Sequence, residues 1–339
     1  MEIIPRHIAI IKCSAIGDIL QALPIVKAIK LETPSAKISW IVDEKHQDLL
    51  ATFKEIDEII PLPLENLKKG IFSAASWIYH LKKELSKKRF DAVCDLQGNC
   101  KSALITWACK SKIKLGFSKE AVSEWPNLLT SNIKVFVKKG TSIQEQYLCF
   151  AKKLLNKSIS FDHDNSSFDE PSTRRIMVCP GSQWKNKRLD TPEFFSFLKS
   201  IEKKYKLTWI IVGIEKNGLP LLNNALFYPQ LEWSLWKEMM RNVDMVLSAD
   251  SCALHLAALL ERPTLSFFGP SSAAIYQPRG PLHASLSGSC PYGKTFTKRC
   301  KVLRTCPTGA CLKQLSSQEY EKIFTQHFET LFNKRSKST

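Results

Sequence analysis

A chain of 339 residues is long enough for two domains, each with its own core. Although 44% of the residues are hydrophobic, no uninterrupted apolar run approaches the roughly 18–20 residues that span a bilayer. Lys and Arg number 49 against 32 Asp and Glu, and the resulting +17 favours an anionic partner: nucleic acid, an acidic membrane surface or a phosphorylated small molecule.

The opening MEIIPRHIAIIKC lacks a basic region followed by an apolar stretch and a small-residue cleavage site, so it reads as a cytoplasmic start. Short apolar runs then alternate with helical patterns. Strands are expected at 7–12, 37–43, 58–63, 91–96 and 113–117, with helices at 19–30, 45–53, 71–88 and 100–110. Pro24 should kink the first helix or displace its start. A further helix is expected at 142–155, followed by a polar, acidic linker at 156–173. After it the alternation resumes, with strands at 175–179, 208–213, 244–249 and 264–268 and helices at 191–205, 234–241 and 252–260. A last amphipathic segment, 316–332, repeats Tyr320, Ile323, Phe324, Phe328, Leu331 and Phe332 at a helical period. The pattern is α/β: two doubly wound parallel domains, 1–160 and 174–315, with ligands expected at the carboxyl ends of the strands and in the cleft between the domains.

Four stretches carry chemistry. In CSAIGD, Gly17 allows a tight turn after the first strand, and Asp18 stands where a helix begins. It reads either as a helix cap or as a carboxylate able to act as a general base. The loop is not the Gly-x-Gly-x-x-Gly fingerprint, which disfavours NAD there. In CPGSQWKNKRLDTPEF, 179–194, a strand ends in Gly181 and Ser182, and Lys185, Lys187 and Arg188 follow. These residues are either a solvated surface loop or a cradle for a diphosphate. In SADSCALH, Asp250 follows a strand, Ser251 and Cys252 open a helix, and His255 lies in its first turns, where the positive helix end suits a phosphate. The turn Gly269-Pro270-Ser271-Ser272 belongs to the same sheet edge.

The fourth stretch holds Cys290, Cys300, Cys306 and Cys311 among Lys294, Lys298, Arg299, Lys301 and Arg304. Four thiols in 22 residues allow a structural zinc reading, but the short Cys-x-x-Cys pairs are absent. Reduced thiols beside a phosphate-contacting basic segment are the other reading. The chain has 11 cysteines, an odd number, and without a secretory signal a disulfide framework is not expected.

Taken together, SAIGDILQALP, DLQGNCKSAL (95–104), PGSQWKNKRLDTPEF and ADSCALHLAALLERPTLSFFGPSS resemble the motifs of the glycosyltransferase family 9 heptosyltransferases, in the same order and over nearly the whole chain. That resemblance implies a GT-B fold, with acceptor bound mainly by the first Rossmann-like domain and nucleotide sugar by the second. The segment 316–332 would cross back to the first domain. It implies an inverting, metal-independent transfer of heptose from ADP-heptose to the lipopolysaccharide inner core, with no cofactor. Asp18 would be the base, with Ser14, Gly17 and Gln97 on the acceptor side. Ser182, Lys187, Arg188, Asp250, Ser251, Cys252 and His255 would hold the donor. Three positions depart from the family pattern: Cys252 replaces a usual Gly, Leu189 a common Trp, and SIQEQY lacks a His often found near there.

Two other readings remain: an enzyme of this fold acting on another nucleotide sugar, as a transferase or an epimerase, and a basic nucleic-acid binder. No helix-turn-helix, zinc-finger or RNP signature supports the latter, so nucleic acid is not expected as a partner. If the acceptor is lipid-linked, the protein should sit peripherally on the inner leaflet of the cytoplasmic membrane, held by Lys82, Lys83, Lys87, Lys88 and Arg89.

Overall fold

The computed structural model describes residues 5–159, 174–213 and 222–332. The chain divides into two compact units, Met1–Phe161 and Asp162–Thr339. Most of the predicted linker, 160–173, lies outside the described residues.

The first unit is built on β1 (His7–Ile11), β2 (Lys37–Asp43), β3 (Glu58–Leu62), β4 (Ala92–Asp95), β5 (Ile113–Phe117) and β6 (Ile133–Val135). The second is built on β7 (Arg174–Cys179), β8 (Leu207–Val212), β9 (Ala225–Tyr228), β10 (Met245–Ala249), β11 (Thr264–Phe268) and β12 (His283–Ser287). The sheet orders are β3-β2-β1-β4-β5-β6 and β12-β11-β10-β7-β8-β9, which are the same topology, and every pairing is parallel. These are the two Rossmann-like domains of a GT-B fold.

The central strands are apolar on both faces because helices cover both. Ile8, Ala9, Ile10 and Ile11 of β1 are all fully buried, and Ile10 lies level with Trp40 of β2 and Cys94 of β4. In each sheet the order reverses beside the first strand, at β1/β4 and at β7/β10. That switch point opens a crevice at the carboxyl edge, where ligands bind in this topology.

Helix boundaries follow local chemistry. Pro24 splits the expected first helix in two, Ile16–Ala22 and Pro24–Glu32, and takes the first-turn position of the second, where its missing N–H costs nothing. Asn99 and Ser142 close capping boxes with Ser102 and Glu145. Strands β6, β9 and β12 fall outside the strands expected from the sequence. All three are sheet edges with partly exposed side chains, so no apolar run marks them.

The helix Ser317–Phe332 forms as its periodicity predicts. Tyr320, Phe324, Phe328 and Phe332 belong to the core of the second unit and pack on the helix Pro192–Lys204 and beside β12. Tyr320 lies 5.3 Å from Phe194 and 5.1 Å from Phe267, ring to ring. Its apolar stripe is used within the second unit.

Past β12, a Cβ at Gly288 would run into the carbonyl oxygen of Cys311. Backbone atoms cannot move aside as a flexible side chain can. Gly288→Ala should cost on the order of 1–3 kcal/mol by overpacking, read as a lowered melting temperature. An unchanged melting point would show that the 290–311 segment is not seated against this strand end.

Candidate active site

In the first unit the loop after β1 and the loop after β4 meet at the switch point. Gln97 ties them, its Oε1 accepting from the backbone N–H groups of Cys13 (3.1 Å) and Ser14 (3.2 Å). Gln97 thus positions the loop that carries Ser14 and leads into the helix Ile16–Ala22, in whose first turn Gly17 lies.

Two carboxylates stand at this edge in different states. Asp95 is fully buried and fully engaged. Its Oδ1 accepts from the N–H groups of Gln97 (2.9 Å) and Gly98 (3.0 Å), and its Oδ2 from Asn127 Nδ2 (2.6 Å) and Thr106 Oγ1 (3.2 Å). It is a structural pin, its two oxygens already taken by four hydrogen bonds. Asp18 is partly exposed and has no hydrogen-bond or ion-pair partner among the described residues. The helix Ile16–Ala22 begins at the N-cap Ala15, so Asp18 lies in the first turn and is not the cap. That geometry sets aside the capping role. It leaves a carboxylate at the crevice with both oxygens available.

In the second unit the corresponding crevice, at β7/β10, holds a buried polar cluster. Asp250 is the hub. Lys187 Nζ donates to its Oδ2 at 2.5 Å, Ser271 Oγ donates to the same oxygen, and His255 Nε2 lies 4.0 Å from its Oδ1. Lys187 and Asp250 are only 6% and 8% exposed. Burial alone would raise the Asp250 pKa, but the adjacent Lys187 charge, with His255 and Ser271, holds it below the usual aspartate value. Three strand ends supply the parts: the loop after β7 brings Lys187, the end of β10 brings Asp250, and the turn after β11 brings Ser271.

The neighbours Arg188 and Asn186 are fastened rather than free. Arg188 Nε donates to the Ser182 carbonyl at 2.9 Å, so Arg188 closes its own loop instead of joining Asp250. A Cβ at Gly181 would sit 2.8 Å from the Gly213 carbonyl oxygen, so glycine there lets the loop lie against the neighbouring one. Asn186, missed in the sequence, is buried and donates to the carbonyls of Leu303 and Cys306, both at 2.8 Å. Its only signal was its place between two noted lysines. Ser271 was equally missed as a site residue, although its turn was noted.

Ser251 stands at the N-cap position of the helix Cys252–Leu259 without a side-chain cap bond, and its hydroxyl lies 3.3 Å from that of Ser248. Cys252 stands in the first turn, its thiol pushed up to about 11 by burial, so it stays protonated at neutral pH. The four cysteines Cys290, Cys300, Cys306 and Cys311 line one cavity of about 350 Å³. Burial, and then the three neighbouring thiols, push Cys311 up to about 11. Among the described residues, however, no group of three or more His, Cys, Asp or Glu side chains is placed to hold a metal ion. The zinc alternative therefore has no ligand set in this geometry; the thiols surround a cavity.

Comparison with known proteins matches residues 78–305 to the family described as Glycosyltransferase family 9 (heptosyltransferase). The chain is 27% identical to Lipopolysaccharide heptosyltransferase 1 of Campylobacter coli, over 77% of this chain and 83% of that protein. It is similar in structure to E. coli heptosyltransferase WaaC with ADP, with a TM-score of 0.75, 19% identity, and coverage of 95% of this chain and 99% of the other. It is also similar to the same enzyme with ADP-2-deoxy-2-fluoro heptose, with a TM-score of 0.73, 18% identity, and coverage of 94% and 99%.

Proposed function

The chain belongs to glycosyltransferase family 9, the heptosyltransferases, and from that premise we propose that it moves heptose from ADP-heptose to the lipopolysaccharide inner core. The acceptor is a Kdo-lipid A or a heptosyl-Kdo-lipid A. As a glycosyltransferase it is an enzyme, which replaces the reading of a nucleic-acid-binding protein. The observation that carries the proposal is the pairing of functions in the two crevices. One holds an unengaged carboxylate at Asp18, the other a buried Lys–Asp–His–Ser cluster around Asp250.

The acceptor hydroxyl oxygen attacks the anomeric carbon of the heptose. As that bond forms, the bond to the diphosphate breaks and ADP leaves with the electron pair, inverting the configuration. Asp18 takes the hydroxyl proton. Lys187, Arg188 and the N–H groups at the start of the helix Cys252–Leu259 stabilise the charge that collects on the diphosphate. Asp250 positions Lys187 and His255 for this, and Gln97 positions the Ser14 loop that leads into the helix start carrying Gly17 and Asp18. Ser182, Ser251 and Cys252 complete the donor side. Among the described residues no helix is long and apolar enough to cross a membrane. With a lipid-anchored acceptor, the enzyme works in the cytoplasm, peripherally on the inner membrane leaflet.

The test is a panel of nucleotide sugars, with released nucleotide measured with and without a lipid A-type acceptor. ADP-heptose alone should show acceptor-stimulated release. Preference for another nucleotide sugar would move the chain to a different transferase or an epimerase. Because side-chain cations and backbone N–H donors serve the leaving group, chelator should leave turnover unchanged. A strict requirement for magnesium or manganese would overturn the assignment of Lys187 and Arg188.

A further inference from the structure

Apolar side chains that a soluble fold would bury stand exposed along one edge of the first sheet. In a parallel sheet, whatever follows a strand begins at its carboxyl edge. After β3 comes a short 3-10 turn, Leu64–Lys68, and then the helix Ile71–Ser86, so Ile71 and Phe72 stand at that edge. They are 86% and 93% exposed. Phe136 follows the last residue of β6 and is 69% exposed. Trp125, 70% exposed, is held at the same edge, since Glu124 N–H bonds the Gly98 carbonyl and Asn127 bonds Asp95.

Exposed cations accompany them. Lys69 precedes Ile71, and Lys138 and Lys139 follow Phe136. None of the three has an ion-pair partner among the described residues. β3 and β6 are the outermost strands, so the two apolar points lie about 24 Å apart, five strand spacings of about 4.8 Å. Asp18 follows β1, between them.

The basic segment singled out in the sequence lies elsewhere. Lys82, Lys83, Lys87, Lys88 and Arg89 occupy the far end of the helix Ile71–Ser86 and the turn after it, at the amino edge where β4 begins. Three are engaged: Lys87 with Glu84, Lys88 with Glu58, and Lys82 over the Trp107 ring. A membrane on that side would be as far from Asp18 as the sheet allows.

We propose that the carboxyl edge of the first domain is the membrane-docking surface, with Ile71 and Phe72 on one flank and Trp125 and Phe136 on the other inserted into an anionic bilayer, and Lys69, Lys138 and Lys139 held at its headgroups. Aromatic and aliphatic tips with flanking lysines match the two layers of such a surface, apolar below and anionic above. The arrangement presents Asp18 to the headgroup plane, where the sugar of a lipid-anchored acceptor emerges. This placement deepens the proposed function and rests on its lipid-linked acceptor.

The experiment is co-sedimentation of the full chain with phosphatidylethanolamine/phosphatidylglycerol vesicles, against phosphatidylcholine vesicles, together with turnover on an acceptor carrying no acyl chains. Binding should need the anionic lipid and weaken with salt. Ile71→Ser/Phe72→Ser should weaken it about tenfold or more, since two large apolar side chains lose their burial. The same variant should turn over the soluble acceptor as the wild type does. Lys83→Gln/Lys87→Gln at the amino edge should bind vesicles normally. Normal vesicle binding by Ile71→Ser/Phe72→Ser, or loss of binding in the amino-edge variant, would overturn the surface. So would a wild-type protein that binds no vesicles, or a dimer in solution that Phe72→Ser dissolves. If vesicle binding behaves as stated but no acceptor is ever glycosylated, the surface stands and the proposed function falls.

Discussion

Asp18→Asn should lower turnover by at least about 100-fold, the low end of what a positioned general base contributes. A sugar hydroxyl is a weak nucleophile, and its proton must leave as the new glycosidic bond forms. Asp18 is the carboxylate at the first crevice whose oxygens have no partner among the described residues. The amide keeps the size of the side chain but cannot accept the proton. Stability should hardly move, because Asp18 is not the N-cap of its helix and no hydrogen bond of Asp18 is lost. Donor affinity should be unchanged, since the residues proposed to hold the donor belong to the other unit. Thermal melting, donor binding and turnover on one preparation therefore separate the roles. Near-normal turnover would remove Asp18 from the chemistry. Asp95 could not replace it, as its four hydrogen bonds already occupy both oxygens.

Asp250→Ala should have the largest effect on stability. The change leaves Lys187 buried without its counter-charge, and breaking a buried pair from one side costs about 3–5 kcal/mol. For a domain of this size that is a melting point lower by roughly 10 °C. Lys187→Met/Asp250→Ala should recover much of the loss, because neither charge is then stranded. Absence of recovery would mean that Asp250 acts through Ser271 and His255 instead. The pH dependence has a definite sign. The Asp250 pKa is lower folded than unfolded, so its contribution is complete at neutral pH. It is lost as pH falls below about 3.8, the unfolded value, toward the folded one. Donor binding by Asp250→Ala should fail even where the protein remains folded, since Lys187 and His255 lose the group that orients them.

Much of this organisation was legible in the sequence, for a physical reason that also marks the limit. Strands β1 and β7 are buried on both faces and read as continuous apolar runs. Strands β6, β9 and β12 are edges, half covered, and carry no such signal. The last helix shows the same limit in another form: its stripe of Tyr320, Phe324 and Phe328 says that a face is buried but not against what. At the site, turns after strands located Asp18, Lys187, Asp250 and His255. What no local pattern conveys is engagement. Asp18 and Asp95 look alike in sequence, each a carboxylate close to a strand-to-helix turn. Only long-range partners, such as Asn127 for Asp95, tell them apart. Likewise Lys187 reads as a free cation until it is found beside Asp250, 63 residues away.

The most direct test of heptosyl transfer is the mass of the acceptor itself. The purified chain would be incubated with ADP-heptose and either Kdo-lipid A or heptosyl-Kdo-lipid A. The acceptor would then be analysed by mass spectrometry, and the new linkage by NMR. One of the two acceptors should gain a single heptose whose anomeric configuration is inverted relative to the donor. An acceptor of unchanged mass, or a heptose joined with retained configuration, would contradict the account.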